Sequence, residues 1–260
     1  MLRAFSTAAT GMAGQQMIVD VIANNLANIT TNGFKRSSVD FQDLMYLKVL
    51  EGGGETGGVS TPTGFEIGSG VRPAATTKIF TAGELETTGH QFDVAITGDG
   101  FFEVTLPDGT TRYTRDGSFK LNANRLLVTA QGYQVSSGFT VPLESVQLSI
   151  GKDGTMTSHS TDGTTANLGQ IVLARFANSA GLSSEGDNLY RETVASGTAS
   201  TGAPGSKGYG MLQQGFLEKS NVQMVTELVN LIRAQRAYEI NSRAIRAGDE
   251  MLNTANRLIT

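Results

Sequence analysis

The pattern of hydrophobic and polar positions divides the 260-residue chain into a helical start, a β-rich middle and a helical end. Residues 1 to about 30 and 216 to 260 contain no proline and repeat apolar side chains with the period of an α-helix. The stretch between them is rich in Gly, Thr and Ser and shows short alternating runs typical of strands. This order predicts an α+β fold with an antiparallel β domain inserted between two long helices.

Apolar residues recur every seven positions along the C-terminal segment, which is the spacing of a coiled-coil seam. This row consists of Met224, Leu231, Tyr238, Ile245, Leu252 and Ile259. Small side chains flank the row at Ala234, Asn241, Gly248 and Ala255. In front of it, Ser220 and Gln223 have the spacing of a capping box. We expect one helix of about forty residues, roughly 60 Å long at 1.5 Å per residue.

The N-terminal segment carries a matching row of apolar residues, so we expect the two helices to pair as a coiled coil. This row consists of Phe5, Met12, Val19 and Leu26. From Ala4 to Phe34 the only charged residue is Asp20, although a solvated helix face normally carries Lys and Glu. The face away from the seam carries Thr7, Thr10, Gly14, Met17, Val21, Asn24 and Asn28. One partner helix cannot cover all these sides, so we expect other copies of the chain or its relatives to cover the rest. The two rows, together with Asn24 and Asn28, are the predicted self-assembly interface.

Asp-Gly pairs mark the turns of the β zone, spaced eight or nine residues apart within two sets, as expected of hairpins. The pairs begin at Asp99, Asp108, Asp116, Asp153 and Asp162. The segments between them, together with 139–143, 146–150 and 168–176, are predicted strands. We therefore expect an N-terminal helix over 1–34, an extended connector over 35–69 with a Gly-rich insertion at 47–66, an antiparallel β domain over 70–210 and a C-terminal helix over 211–260.

Composition excludes several classes of function. A formal charge of −4, with Lys and Arg concentrated only near the C-terminus, argues against nucleic-acid binding, and the absence of cysteine excludes thiol catalysis and thiolate metal sites. No stretch approaches the length of an apolar membrane span, and the N-terminus lacks the pattern of a cleaved secretory signal. We therefore expect no membrane insertion and no signal cleavage.

Three sets of residues permit a catalytic or ligand-binding interpretation, and ordinary turns and linkers explain each of them. A periplasmic peptidoglycan-cleaving enzyme would need a carboxylate pair, for which the candidates are Asp99, Glu103, Asp108 and Asp116. Three of these are Asp-Gly turn residues, and the two histidines, His90 and His159, complete no catalytic triad. The Asp-Gly-Thr turns lack the ligand spacing of a calcium loop. Gly52, Gly54 and Gly57 form a G-x-G-x-x-G without a following helix to hold a phosphate. The sequence predicts no catalytic residue, cofactor or metal.

Several motifs along the chain resemble the bacterial flagellar rod and hook proteins. They are ANNLANITTNGFKR near the N-terminus, VAITGDGFFEV, YTRDGSF and LVTAQGYQV in the middle, and GFLEKSNVQMVTELVNLIRAQRAYEINSRAI at the C-terminus. The resemblance spans nearly the whole chain in the right order. The Gly-rich insertion after DFQDLMYLK, followed by TGFEIGSGVRP, is most similar to the distal rod type.

The resemblance implies a structural subunit of the distal rod, the drive shaft that transmits torque from motor to hook. Such subunits leave through the flagellar type III export apparatus without signal cleavage and polymerise helically with themselves across the periplasm. The paired terminal helices form an inner tube, with the β domain outside. Implied partners are the proximal rod proteins, the hook protein, and the P-ring and L-ring proteins that act as a bushing. A proximal rod or hook subunit of the same family remains an alternative.

Two features depart from the family or are peculiar to its distal rod type. Arg125 stands where relatives commonly turn through glycine, which leaves the hairpin type open. The insertion lies between the first helix and the β domain, and we hypothesise that it wedges between neighbouring subunits and keeps the rod straight.

Overall fold

The computed structural model describes residues 2–50, 55–56, 59–60, 64–135, 138–143, 145–160 and 164–259. Two long helices, α1 (Leu2–Ala27) and α2 (Met224–Ile259), lie near the two ends of the chain, and nearly all the described elements between them are strands, which confirms the α+β class. The chain forms two compact units. Unit 1 comprises Met1–Leu26, Ser37–Thr77 and Gln223–Thr260, and unit 2 comprises Ala27–Arg36 and Lys78–Val222.

The first six strands belong to unit 1 and form nested pairs. They are β1 (Ser37–Asp43), β2 (Leu47–Leu50), β3 (Glu55–Thr56), β4 (Val59–Ser60), β5 (Phe65–Ile67) and β6 (Val71–Lys78). β1 pairs with β6, β2 with β5, and β3 with β4. The segment predicted as an extended connector is therefore a β ribbon, and its return strand β6 extends beyond residue 70, where the β domain was expected to begin. The three glycines of the G-x-G-x-x-G lie outside the described residues.

The remaining strands belong to unit 2. They are β7 (Leu85–Thr87), β8 (Val94–Thr97), β9 (Phe101–Thr105), β10 (Thr111–Thr114), β11 (Lys120–Leu121), β12 (Leu127–Val128), β13 (Gln134–Val135), β14 (Ser145–Ile150), β15 (Thr155–Ser160), β16 (Thr165–Gln170), β17 (Leu173–Arg175), β18 (Ser183–Gly186), β19 (Leu189–Arg191), β20 (Ser200–Gly202), β21 (Met211–Gln214) and β22 (Phe216–Glu218), with a short 3₁₀ helix at Ser179–Gly181.

Antiparallel pairing organises unit 2. Among the described residues its largest sheet has nine strands, in the order β11-β12-β13-β9-β10-β19-β18, with β17 joining β9 to β20. β14, β15 and β16 form a second sheet. The last two strands of the unit return to its first two, because β21 pairs with β8 and β22 pairs with β7.

The central strand β9 buries side chains on both of its faces, since successive residues of a strand point in opposite directions. Phe102 faces the larger core, whereas Phe101 faces a smaller aromatic cluster. The larger core contains Val94, Ile96, Phe102, Phe119, Leu127, Val135, Phe139, Val141, Leu148, Ile150, Met156, Ile171, Leu173 and Leu212. The aromatic cluster packs edge to face, with Phe101, Tyr113, Phe176, Tyr190 and Phe80 among its members. Unit 2 therefore has its own hydrophobic interior.

Two of the predicted Asp-Gly hairpins are confirmed. Asp108-Gly109 joins β9 to β10 and Asp153-Gly154 joins β14 to β15, with φ of 80° at Gly109 and 84° at Gly154. Asp99-Gly100 instead precedes β9 and Asp116-Gly117 follows β10, while Asp162-Gly163 lies outside the described residues. The turn at Arg125 closes in the left-handed region, with φ of 60°, and the Arg125 amide donates to the carbonyl of Asn122 at 2.9 Å. An arginine thus occupies a conformation that favours glycine.

Several predicted boundaries of helices and strands differ from the structure, because hydrogen bonds to distant segments of the chain determine where these elements begin and end. Residues 139–143 contribute only a single bridge, at Thr140. The predicted strand 168–176 splits into β16 and β17, since the Ile171 amide turns to the Gly154 carbonyl at 2.8 Å. The C-terminal segment is helical only from Met224, because 211–218 pair with strands of unit 2. The capping box is not formed, since the Ser220 hydroxyl accepts from the Val222 amide rather than from Gln223.

Candidate assembly surface of the terminal helices

Helices α1 and α2 contact each other in antiparallel order within unit 1. The ring of Phe5 lies against Gly248, where an added Cβ would come within 2.7 Å of the ring. Further along α1, Gly11 lies against Asn241, and a Cβ on Gly11 would be 3.0 Å from the Asn241 Nδ2. The absence of a side chain at both glycines allows the two helix backbones to approach closely at these points.

Asn25 joins three segments of unit 1. Its Oδ1 accepts from the Ser37 amide and its Nδ2 donates to the Ser37 carbonyl, each at 2.9 Å. The same Nδ2 lies 3.4 Å from Oε2 of Glu227 in the first turn of α2. Asn25 and Glu227 are both completely buried. One amide therefore holds the end of α1, the start of β1 and the start of α2 together.

The predicted interface residues among the asparagines were Asn24 and Asn28, and Asn25 was not included. Asn24 lies on the exposed side of α1, and Asn28 is half-buried and accepts from the Thr31 hydroxyl at 3.2 Å. The chemistry of Asn25 is compatible with this role, because a side-chain amide has both a donor and an acceptor and can pair with both backbone groups of one residue. That chemistry is the same for Asn24 and Asn28, so it does not by itself identify Asn25.

Part of the face of α1 assigned to neighbouring subunits is covered by the chain itself, which corrects that interpretation. The Thr10 hydroxyl accepts from the Val71 amide at 3.4 Å. Gly14 is buried against Phe41 of β1, whose ring would lie 3.1 Å from an added Cβ. The β ribbon thus occupies one side of α1, while Met17 remains 41% exposed.

The residues of the two predicted rows lie at different depths. Phe5, Met12, Val19 and Leu26 on α1 are half-buried, as are Leu231, Ile245 and Leu252 on α2. Met224 and Tyr238 are exposed, at 51% and 44%, and the side chain of Ile259 lies outside the described residues. Ala234 and Gly248, from the small-residue row, are the buried members of that side of α2.

A groove of about 420 Å³ opens between the helices where two of the predicted seam residues face each other. It is lined by Gln16, Val19, Gln235, Tyr238 and Glu239. The apolar parts of Val19 and Tyr238 are therefore not sealed against each other, and the groove has space for side chains from outside unit 1.

The first turns of α2 expose a second apolar stripe that the sequence interpretation missed. Val225, Leu228, Val229 and Ile232 have the i, i+3, i+4, i+7 spacing of one helix face and are between 41% and 74% exposed. At 100° per residue this face points away from buried Glu227 and Ala234. Farther along α2 the same side carries charged residues, including Arg236 and Arg243. The spacing of the stripe is present in the sequence, but the sequence-based interface was assigned to the seven-residue row, which lies on a different face of α2.

Two of the four carboxylates considered for catalysis, Asp108 and Asp116, hold turns together, whereas Glu103 lies within β9. Oδ1 of Asp108 accepts from the amide and hydroxyl of Thr110, at 2.9 and 2.6 Å, and these bonds lower the pKa of Asp108. Oδ1 of Asp116 accepts from the Ser118 amide at 3.0 Å. In the described part of the chain, no group of three or more acidic or histidine side chains is arranged to hold a metal ion. Nor does any helix there have the length and apolarity needed to cross a membrane.

Three family models match successive parts of the chain. Residues 5–35 match the model "Flagella basal body rod protein", residues 95–158 match the D1 domain of the flagellar hook protein FlgE/F/G, and residues 213–258 match the C-terminal model of the flagellar basal body rod FlgEFG protein.

Curated relatives match along the whole length. The chain is 48% identical over 262 residues to the flagellar basal-body rod protein FlgG of Borreliella burgdorferi, covering 99% of both chains. It is 43% identical to the protein of the same name from Caulobacter vibrioides, again over 99% of both. The identity to the Bacillus subtilis protein of that name is 40%, over 97% of both.

Proposed function

The chain belongs to the flagellar basal-body rod protein family, and from this premise we propose that it builds the distal rod by self-assembly through its terminal helices. It is a structural subunit of the flagellar rod, most similar to FlgG, and its place is the flagellar basal body. The observation that carries the assembly proposal is the exposed apolar stripe of α2, since a contiguous apolar helix face in water indicates a surface that a partner covers.

The partner that we propose for the stripe is another copy of the chain. α1 supplies a complementary surface, because its exposed side has no Lys or Glu and carries Met17 and Asn24. From Ala4 to the end of α1 the one charged residue on that side is Asp20, so the helix can lie against an apolar stripe while desolvating at most a single carboxylate. In this arrangement α1 and α2 pair as a coiled coil within each subunit, and helices of neighbouring subunits fill the remaining sides.

The groove beside Tyr238 supports the same proposal. A stable inner tube requires close packing, and an open groove between two helices of one subunit is a natural place for side chains of the next. The predicted interface rows on α1 and α2, together with Asn24 and Asn28, then line contacts both within and between subunits.

The finer assignments follow from this position in the flagellum. The subunit would join the proximal rod proteins at one end and the hook protein at the other, with the P-ring and L-ring proteins as a bushing around unit 2. It would arrive through the flagellar type III export apparatus without signal cleavage and transmit torque to the hook. A catalytic role is not part of the proposal, since Asp108 and Asp116 are engaged in turns.

Electron cryomicroscopy of isolated basal bodies tests the proposal. We expect density for this chain in the part of the rod nearest the hook, with α1 and α2 lining the central channel and the Val225–Ile232 stripe covered by a neighbouring copy. Placement of the chain in the proximal rod or hook would contradict the distal assignment. An uncovered stripe would contradict the assembly surface.

A further inference from the structure

A cluster of buried charges in unit 2 takes no part in the proposed assembly surface. Nζ of Lys35 lies 2.6 Å from Oε1 of Glu218, and Nη1 of Arg115 lies 3.3 Å from Oε2. Oε1 also accepts from the Gly83 amide at 2.8 Å. The side chains of all three charged residues are at most 3% exposed. One carboxylate therefore serves two cations that have almost no contact with water.

Among the described contacts, Glu218 is the one carboxylate that pairs directly with either cation, and the charge of Asp99 acts on Arg115 without a direct contact. Lys35 otherwise donates to the carbonyl of Thr81 at 2.7 Å. Arg115 donates to the carbonyl of Gly98 at 2.7 Å and lies over the ring of Phe101. Burial lowers the pKa values of both Lys35 and Arg115, and the charge of Glu218 opposes that shift. Removing the carboxylate would leave two desolvated cations, which is far costlier than breaking a surface pair.

The same cluster connects remote parts of the sequence. The Gly33 amide donates to the Glu218 carbonyl at 2.7 Å, and the Arg36 amide donates to Oδ1 of Asn221, also at 2.7 Å. Nδ2 of Asn221 in turn donates to the carbonyl of Ile79 at 2.8 Å. Residues 33–36, which follow α1, are thus fixed to residues 218–221, which precede α2.

The charges of this cluster come from residues that are far apart in the sequence. Lys35 and Glu218 are 183 positions apart, and Glu218 ends β22, the last strand of unit 2. Until β22 has paired with β7, the positions of Lys35 and Arg115 lack their common counter-ion. While β22 is not paired, burying the charge of Lys35 without its counter-ion costs free energy. Unit 2 is then more stable with Lys35 in water and segment 27–36 undocked.

We propose that Glu218 is a closure lock, meaning that segment 27–36 docks on the strands of unit 2 only when the Glu218 carboxylate is in place between Lys35 and Arg115. A chain whose C-terminal strands are missing would leave the segment that follows α1 loose. That only complete subunits enter the rod is a consequence that rests on the proposed function. The lock itself does not, because it is a property of the single chain.

Amide hydrogen exchange on the full-length protein tests the lock with a matched pair of variants. Glu218→Gln removes the buried charge while nearly preserving shape. Glu86→Gln removes a carboxylate from the paired strand β7, where Glu86 forms a half-exposed ion pair with Lys219 at 3.1 Å. Exchange at the amides of Gly33 and Arg36 reports docking of the segment, and exchange at Phe102 and Val104 of β9 reports the core.

In Glu218→Gln we expect exchange at the docking amides to accelerate by at least about tenfold, the effect of losing one charge-assisted hydrogen bond, with β9 unchanged. Glu86→Gln should leave both sets unchanged. Adding Lys35→Met to Glu218→Gln should reverse most of the acceleration, since it removes one uncompensated cation. If the acceleration came only from lost packing, the effects of Glu218→Gln and Lys35→Met on the exchange rates would instead add.

The outcomes that overturn the lock are equal acceleration in Glu86→Gln, acceleration spread evenly over β9, or a double variant that exchanges faster than Glu218→Gln alone. If Glu218→Gln does not fold, the double variant decides. Its folding supports the lock, and its failure to fold contradicts it. Because these measurements use the unassembled chain, failure of the lock is distinguishable from failure of the assembly proposal.

Discussion

The single side chain of Asn25 fixes the position of the backbone at Ser37 through two hydrogen bonds. Asparagine is a mediocre helix former because its amide competes for backbone hydrogen bonds. In α1 the side-chain amide of Asn25 points away from its own helix and pairs with both backbone groups of Ser37. Glu218 acts similarly in unit 2, where its carboxylate binds a lysine, an arginine and a backbone amide.

Replacing Asn25 by alanine should destabilise unit 1 by about 2–3 kcal/mol, because two buried hydrogen bonds to Ser37 are lost. Alanine is the better helix former, so intrinsic propensity works against this effect. Denaturant unfolding followed by circular dichroism at 222 nm measures the change. Asn253→Ala, at an exposed position of α2, is the matched control and should stay within about 0.5 kcal/mol of the parent. Equal stability of the Asn25 variant would show that the clamp contributes nothing.

Tyr113 should make unit 2 sensitive to alkaline pH. Burial, with the charges of Glu192 and Glu103, raises its pKa to about 12. In the unfolded chain the phenol ionises near pH 10, so its contribution to stability is complete below pH 10 and is lost as the pH rises toward 12. Absorbance titration of tyrosinate should show a step near pH 12 that disappears in Tyr113→Phe. A step unchanged in that variant would contradict the assignment.

The two faces of α2 have different tasks at the scale of the element. The face with Ala234 and Gly248 lies toward α1, and small side chains there permit close approach. The face with Val225, Leu228, Val229 and Ile232 is apolar but exposed in the single chain. An isolated helix gains little from such a stripe, and most helix stability in proteins comes from packing an apolar face.

A charge in the predicted seam should block polymerisation without unfolding unit 2. We expect this result for Leu26→Asp and Ile245→Asp, because each places a carboxylate at a half-buried apolar position. Sedimentation or electron microscopy follows assembly, and near-ultraviolet circular dichroism follows the aromatic cluster. Asn253→Asp adds the same charge at an exposed position and should assemble normally. Normal rods from either seam variant would remove those residues from the interface.

At the scale of the whole molecule, the insertion within residues 47–66 is the feature proposed to distinguish a straight rod from a flexible hook. Its flanking strands β2 and β5 pair, and Val49 and Phe65 on them are half-exposed. An exposed apolar ribbon in unit 1 provides a surface that a neighbouring subunit can cover.

Deletion of residues 51–63 should therefore yield rods that bend or vary in curvature in electron micrographs. Replacement of the same residues by a Gly-Ser segment of equal length is the matched variant, and it should bend as well if the side chains form the wedge. Straight rods from the deletion would contradict the hypothesis.

Local signals made much of this protein predictable. The order helix, strands, helix follows from hydrophobic periods, and the hairpins at Gly109 and Gly154 follow from Asp-Gly chemistry, which is decided by neighbouring residues alone. The boundaries at 139–143 and 211–223 could not be predicted in this way. Pairing in a sheet depends on which distant strand is available, and β21 is a strand because β8 lies beside it.

The fold class, the two helices, the family and hence the structural function can all be inferred from periodicity and from motifs of adjacent residues. The burial of Asn25, the cover of the β ribbon over Gly14 and the sharing of Glu218 by Lys35 and Arg115 are visible only in the folded chain. Burial and charge pairing depend on segments that are far apart in sequence. A chain read residue by residue cannot show which of them meet.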